Sequence, residues 1–393
     1  MIAKLLRRIS AGLLSGVMIA SAAVSPVSAA VVDKDNPNNY DNFAEALQLA
    51  LCFYDANKCG DEVADDGYYT WRGNCHVKDG MIPLVPMQSL GGGKANDDSG
   101  KGDGGASAAE GLYVGTNMSQ DFIDANKKYL DPDGDGCVDL TGGWHDAGDH
   151  VKFGLPAGYT ASTLGWGYYE FKDSYDALGQ TAHLQALTDR FCDFFKASTK
   201  LSGDTVTSFC YQVGVGQADH DVWCSPESQN DQSLRTAYWT SDDASDIAAE
   251  YAAALAINYL NFGNAEDLKY AEALYKFSTQ YNQVATDGPA GFYTSDECRD
   301  EQAWAAGWLY LATKDSTYSS FLDKFMNDTN AGKSGQSGCK WGVYSTMCWN
   351  NVSLGAAILQ SEITGDAMDW AKVTTYLNGK CTSESTYYCE SDW

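Results

Sequence analysis

Two aspartates three residues apart, Asp146 and Asp149, stand in the segment Gly142-Gly-Trp-His-Asp-Ala-Gly-Asp-His150. A single turn of chain directs both side chains toward one small volume. Carboxylates that share a site repel each other, which raises the proton affinity of at least one. That suits a general base that holds a water molecule and strips a proton from it. Trp144 adds a flat apolar face of the kind that stacks on sugar rings. Gly142, Gly143 and Gly148 permit turns that other residues resist. Two further readings compete. Asp and Gly are ordinary turn formers. His145, Asp146, Asp149 and His150 are all metal-ligating types and would suit a metal-dependent hydrolase, but their spacing matches no helix-borne metal motif.

Other acidic segments invite cations. Asp296-Glu-Cys-Arg-Asp-Glu301 places hard oxygens ahead of a helix, as calcium requires. Acids favoured by the helix dipole are the alternative, and calcium is the preferred reading. Asp131-Pro-Asp-Gly-Asp-Gly-Cys-Val-Asp139 imitates the first half of an EF-hand loop through Asp131, Asp133, Asp135 and Gly136. Its twelfth position is Gly142, so the bidentate acid is missing, and a metal-free acidic turn is the preferred reading. The chain has 12 cysteines. Cys52/Cys59, Cys210/Cys224, Cys339/Cys348 and Cys381/Cys389 are close in sequence, which leaves the pairing open. No Cys-x-x-Cys pair is present, which argues against zinc.

The elements that must position these residues are helical. Lys4, Arg7 and Arg8, an apolar run and Val27-Ser28-Ala29 read as a cleaved export leader over residues 1–29. The remainder, 30–393, reads as one secreted domain with no membrane span. The formal charge of −27 repels phosphate backbones, so nucleic acid is excluded as a partner. Apolar periodicity predicts helices over Tyr40–Asn57, Tyr159–Ala177, Ala182–Ser198, Ala244–Phe262, Ala265–Tyr281, Arg299–Thr313, Tyr318–Asn327, Val352–Glu362 and Ala367–Asn378. The stretch from Lys58 to Thr141 reads as irregular. Within it, Ser89–Gly111, rich in Gly and Asp, reads as a surface insertion. Strand patterns are scarce, so the expected class is all-α, built of stacked helical hairpins.

The segment TGGWHDAGDHVKFGLPAGYTASTLGWGYYE resembles the signature region of family 9 glycoside hydrolases, inverting cellulases with an (α/α)6 barrel. The family's usual residue at His145 is Tyr. Phe43-Ala-Glu-Ala-Leu47, Phe53-Tyr54, Trp71-Arg-Gly73, Tyr211-Gln-Val-Gly214, Ala218-Asp-His220 with Trp223, and Asp246-Ile-Ala-Ala-Glu250 resemble other family segments. The resemblance implies endo-acting hydrolysis of β-1,4-glucan, with Asp149 as general base and Asp146 helping to hold the attacking water. It assigns Trp144, His145, His220, Trp223 and Tyr293 to the sugar. It implies no cofactor for the chemistry but a structural calcium at Asp296, Glu297, Asp300, Glu301 and Asn350, where Asp296 replaces a usual Ser and Asn350 a usual Asp. Asp246 and Glu250 read as helix-start acids.

Inverting hydrolysis needs a second carboxyl group about 6.5–9.5 Å from the base. In the family this acid is a late Glu that follows a His-His-Arg clamp, and neither motif occurs here. Glu227, Glu250 and Glu301 each have another expected role. The expectation is therefore a C-terminally truncated barrel lacking its last helices. Such a chain holds the base without its acid, and a non-catalytic glucan-binding protein is the alternative.

Overall fold

A computed structural model describes residues 42–65, 69–89, 113–221, 223–229, 235–328 and 347–382. The leader, nearly all of the Ser89–Gly111 insertion and the residues needed to test the Cys339/Cys348 and Cys381/Cys389 pairs lie outside them. The chain divides into two units, Met1–Leu49 and Ala50–Trp393. In the first, the described residues begin helix α1 (Phe43–Ala56), whose last turns belong to the second.

The helices that follow are α2 (Gln120–Leu130), α3 (Gly154–Ala177), α4 (Thr181–Ser198), α5 (Gly216–His220), α6 (Pro226–Gln229), α7 (Ser245–Phe262), α8 (Ala265–Tyr281), α9 (Arg299–Thr313), α10 (Ser316–Met326), α11 (Ser353–Thr364) and α12 (Ala367–Thr382). Two short antiparallel pairs join β1 (Ile82–Pro83) to β4 (Cys137–Val138) and β2 (Gln88–Ser89) to β3 (Tyr113–Val114). A larger antiparallel sheet runs in the order β5 (Lys152–Phe153), β7 (Thr205–Val213), β6 (Thr199–Ser202), with β8 (Ala237–Thr240) also paired to β7.

The core centres on α7, where every residue from Ser245 to Asn258 is buried. Its alanines let neighbours come close on all sides, and α3, α8 and α9 pack against it. Against α3 the approach leaves no room for a side chain. A Cβ on Gly158 would lie 2.7 Å from Glu250 Cβ, and one on Gly165 2.6 Å from Ile257 Cγ2. Helix α9 then contacts α10 and α11, and α11 contacts α12. Side-chain caps fix the starts of α2, α8 and α10: Ser119 accepts from the Phe122 amide, Asn264 from the Glu266 amide and Asp315 from the Thr317 amide. No described helix is long and apolar enough to cross a membrane.

Two features depart from the sequence reading. Helix α2 lies inside the stretch read as irregular. Its buried residues are Ile123 and Leu130, too few to produce a visible periodicity. The four-stranded sheet was masked for the opposite reason. Residues Ser208–Val213 of β7 are buried without interruption, so the strand carries no alternation.

Candidate active site

The carboxylate segment is tied to the scaffold at both ends. The Cys59 amide donates to Gly143 O at 3.0 Å, and the His145 amide to Asn57 O at 3.1 Å. The Asp146 amide donates to Val151 O at 3.0 Å, which closes the loop between the two aspartates. Inside it the Ala147 amide donates to Asp149 Oδ1 at 3.1 Å.

Beneath this loop lies a buried ionic hub. Asp79 accepts from Arg235 Nε at 3.1 Å and Nη2 at 2.7 Å, and its Oδ2 lies 2.7 Å from Lys152 Nζ. Burial alone would raise the Asp79 carboxyl, but the charges of Arg235 and Lys152 outweigh it and hold the group below the ordinary range. The same cations grip the loop's backbone. Lys152 Nζ donates to Leu140 O at 2.9 Å and Arg235 Nη1 donates to His150 O. Asp219, 3.5 Å from Arg235, accepts from the His150 amide at 2.8 Å.

The two aspartates sit in different settings. Asp146 Oδ2 accepts from the Tyr293 hydroxyl at 2.6 Å. Burial, reinforced by the charge of Asp149, lifts Asp146 to about 6 although Tyr293 and His220 oppose the shift. Asp149 is 4 % exposed, and burial followed by the charge of Asp219 raises it too. His220 Nδ1 stands 3.8 Å from Asp149 Oδ2. Trp223 is 76 % exposed, yet its ring lies so close over the loop that a Cβ on Gly148 would fall 2.5 Å from it. The structure thus brings Asp146, Asp149, Tyr293, His220 and Trp223 together.

Removing the Tyr293 hydroxyl should move this pair's titration. Because that group favours ionised Asp146, Tyr293→Phe should shift the acid limb of any hydrolytic pH profile upward by about one unit, the scale of a hydrogen bond to a charged group. Activity needs the carboxylate form, so the loss grows as pH falls through about 6. An unchanged limb would remove Asp146 from the titrating pair.

Two residues expected at the sugar are not there. Trp144 is 7 % exposed and stacks on Phe191 at 3.8 Å between ring centroids. Its indole nitrogen donates to Tyr54 O at 2.7 Å. It is a core residue because the loop's backbone ties turn the indole inward. His145 is 6 % exposed and faces the interior. Its Nε2 lies 3.2 Å from His76 Nδ1 and 3.8 Å from Cys75 Sγ. The metal-dependent hydrolase reading fails with it, because His145 turns away from the aspartates and His150 is buried against Gln229 at 2.6 Å.

His145 instead joins a cluster that sequence reasoning missed. One ligand atom from each of Cys59, Cys75, His76 and His145 lies within 4.8 Å of the others, and all four residues are buried. Two thiols and two imidazoles so placed are the donor set of a structural zinc site. The lack of a Cys-x-x-Cys pair therefore does not by itself exclude a Cys2His2 donor set. The adjacent Cys75-His76 pair was the available signal. Burial would raise the Cys59 thiol, but its hydrogen bond with Cys75 and the charge of Lys152 bring it well down, while Cys75 is raised. Burial lowers His145 to about 4, so the imidazole is neutral and able to ligate. Cys59, Cys75 and Cys210 are free thiols, so the Cys52/Cys59 and Cys210/Cys224 pairs do not form.

The expected calcium ligands divide. Asp300 Oδ1, both carboxylate oxygens of Glu301 and Asn350 Oδ1 are buried without a hydrogen-bond partner. Asp300 Oδ2 accepts from the Val352 amide at 2.8 Å. Burial raises Asp300 and, together with the charge of Asp300, raises Glu301 further. Unsatisfied hard oxygens in this number fit calcium. Asp296 is exposed on the preceding turn and Glu297 half-buried, so neither belongs with the buried oxygens. Asp246 and Glu250 are fully buried, and burial lifts them to about 7 and about 8.

The candidate acids are paired or buried. Glu227 accepts from Arg72 at 2.8 Å and from the Gly73 amide at 2.9 Å. Glu250 accepts from Ser162 at 3.2 Å, and Glu301 is wholly buried.

Helical hairpins carrying a two-carboxylate loop at one site define the class as a glycoside hydrolase. Residues 43–392 match the family described as Glycosyl hydrolase family 9, and the chain belongs to that family. Endoglucanase 14 of Oryza sativa subsp. japonica is 36 % identical over 58 % of this chain and 44 % of its own length. Endoglucanase 2 of Arabidopsis thaliana is 27 % identical over 84 % of this chain and 53 % of its own. The chain spans about half the length of these curated relatives. Among solved structures, the catalytic domain of Clostridium thermocellum CelT superposes with a TM-score of 0.69 at 38 % identity, over 86 % of this chain and 64 % of that one. The cellulase Cel9M of C. cellulolyticum in complex with cellobiose gives 0.63 at 33 % identity, over 87 % and 66 %. The fold is accordingly that of the (α/α)6-barrel catalytic domains.

Proposed function

We propose that this chain carries the water-activating half of an endo-acting, inverting β-1,4-glucanase. The observation that carries the reading is the meeting of Asp146 and Asp149 with Tyr293, His220 and the exposed Trp223. Asp149 acts as general base: its raised proton affinity matches a group that must take a proton from water near neutral pH. Asp146, oriented by Tyr293, accepts the water's second hydrogen and fixes its direction of attack. Trp223 offers its ring to a glucose face, and His220 donates to a sugar hydroxyl above Asp149. Cellulose or a related β-glucan is the substrate, in keeping with the endoglucanase names of the relatives. Export through the leader and a structural calcium at Asp300, Glu301 and Asn350 complete the proposal. Calcium there would neutralise buried carboxylates and take no part in the chemistry.

One observation favours a second reading. Glu227 is paired with Arg72, and Glu250 and Glu301 are wholly buried, which suits a protein that binds glucan without cleaving it. Calorimetric titration of the chain with cellohexaose, alongside reducing-sugar release from carboxymethyl cellulose, separates the two. Turnover supports the hydrolase, binding alone supports the alternative, and neither result would remove the glucan assignment.

A further inference from the structure

We propose that the loop after α2 binds a calcium ion through Asp131, Asp133 and Asp135, a site separate from the buried oxygens around Glu301. The sequence argued against this, because the loop lacks an acid at its twelfth position. The structure supplies two observations that the sequence could not.

The first is closeness. One carboxylate oxygen from each of the three aspartates lies within 4.8 Å of the others. Oxygens bound to a common calcium at about 2.3–2.6 Å can be separated by at most about 4.6–5.2 Å. All three therefore fit around a single ion, which would offset the mutual repulsion of their charges; Asp135 Oδ1 also accepts from the Cys137 amide at 2.9 Å.

The second observation is an unmet demand. The side chain of Asp131 is fully buried at the C-terminal end of α2. Its Oδ2 accepts from the Gly136 amide at 3.1 Å, and Lys127 Nζ comes no nearer to it than 3.8 Å while its side chain is 61 % exposed. Its Oδ1 is buried and accepts from nothing. A buried carboxylate oxygen without a partner is costly, and a cation shared with Asp133 and Asp135 removes both this cost and the repulsion. The exposed positions of Asp133 and Asp135 give the ion a route in from solvent. Missing the bidentate acid, the loop belongs with the weaker calcium sites, on the order of 10⁻⁴ M.

The ion would act on the active site at a distance. From Asp131 the chain passes through β4 and reaches Leu140, whose amide donates to Asp79 O at 2.8 Å. Calcium would thus brace the strand that delivers Gly142–His150.

Equilibrium dialysis of the chain against radioactive calcium at about ten times that dissociation constant, compared with the D133N/D135N variant, tests the proposal. The variant should bind one calcium fewer and keep its circular dichroism. Equal stoichiometry, or no calcium bound by either protein, overturns it. A second variant guards against misfolding. With the ion, D131N should shrink the calcium-dependent rise in melting temperature relative to that of the unsubstituted chain. If D131N simply stabilises the chain and leaves the response to calcium unchanged, the loop is a metal-free turn.

Discussion

Asp149→Asn is expected to lower reducing-sugar release from soluble cellulose by about 10²–10⁴-fold, the usual contribution of a positioned general base. Affinity for cello-oligosaccharides should change by less than about threefold, because the amide keeps the size of the carboxylate and the Trp223 and His220 side chains are retained. The hydrogen bond from the Ala147 amide to Oδ1 survives the change, so the loop should hold its shape. Paired kinetics and calorimetry check both halves. Wild-type turnover in the variant would transfer the base to Asp146. A parallel loss of binding would mean that the substitution had distorted the loop.

The second large effect is on stability. Asp79→Ala leaves Arg235 and Lys152 buried with their principal counter-charge gone. Stranding buried charges in this way costs roughly 3–5 kcal/mol, which for a domain of this size lowers the melting temperature on the order of 5–10 °C. Catalysis should suffer in the part that remains folded, because the hub holds the backbone at Leu140 and His150 on either side of the aspartates. Displacing a catalytic group by about 1 Å can cost about 10²-fold. The sharper test adds Arg235→Met and Lys152→Met to an Asp79→Leu background. Apolar replacement of the whole ionic group should restore much of the stability but not the loop geometry. Recovered melting temperature with continued loss of turnover is the expected pattern. Full recovery of both would reduce the hub to a packing element.

The long helices were legible because amphipathic or alanine-rich periodicity marks them directly. Ala265–Tyr281 and Arg299–Thr313 were read to the residue. The aspartate pair was legible because a short Gly-rich segment confines both carboxylates locally, and Tyr293, His220 and Trp223 entered through resemblance. What remained hidden depends on contacts between distant segments. Trp144 looked like a sugar platform because residue type does not reveal which way a turn points its side chain. The Cys59, Cys75, His76 and His145 cluster draws on three separate stretches, and its spacing matches no compact motif. Asp219 lay in a segment singled out for its neighbour His220, but its charge acts on Asp149 only once the fold brings the two segments together.

The bond between Asp79 and Arg235 closes over 156 residues of chain. During synthesis at about 5–20 residues per second, Arg235 follows Asp79 by roughly 8–30 s. Over about the last 85 residues of that interval, roughly 4–17 s, the aspartate loop has been made but its tie through Arg235 cannot form. Refolding from denaturant faces the same ordering, since contacts distant in sequence are the slow ones to form. Competence at this site therefore waits on a contact distant in sequence, and on refolding recovery of activity should lag recovery of helical signal.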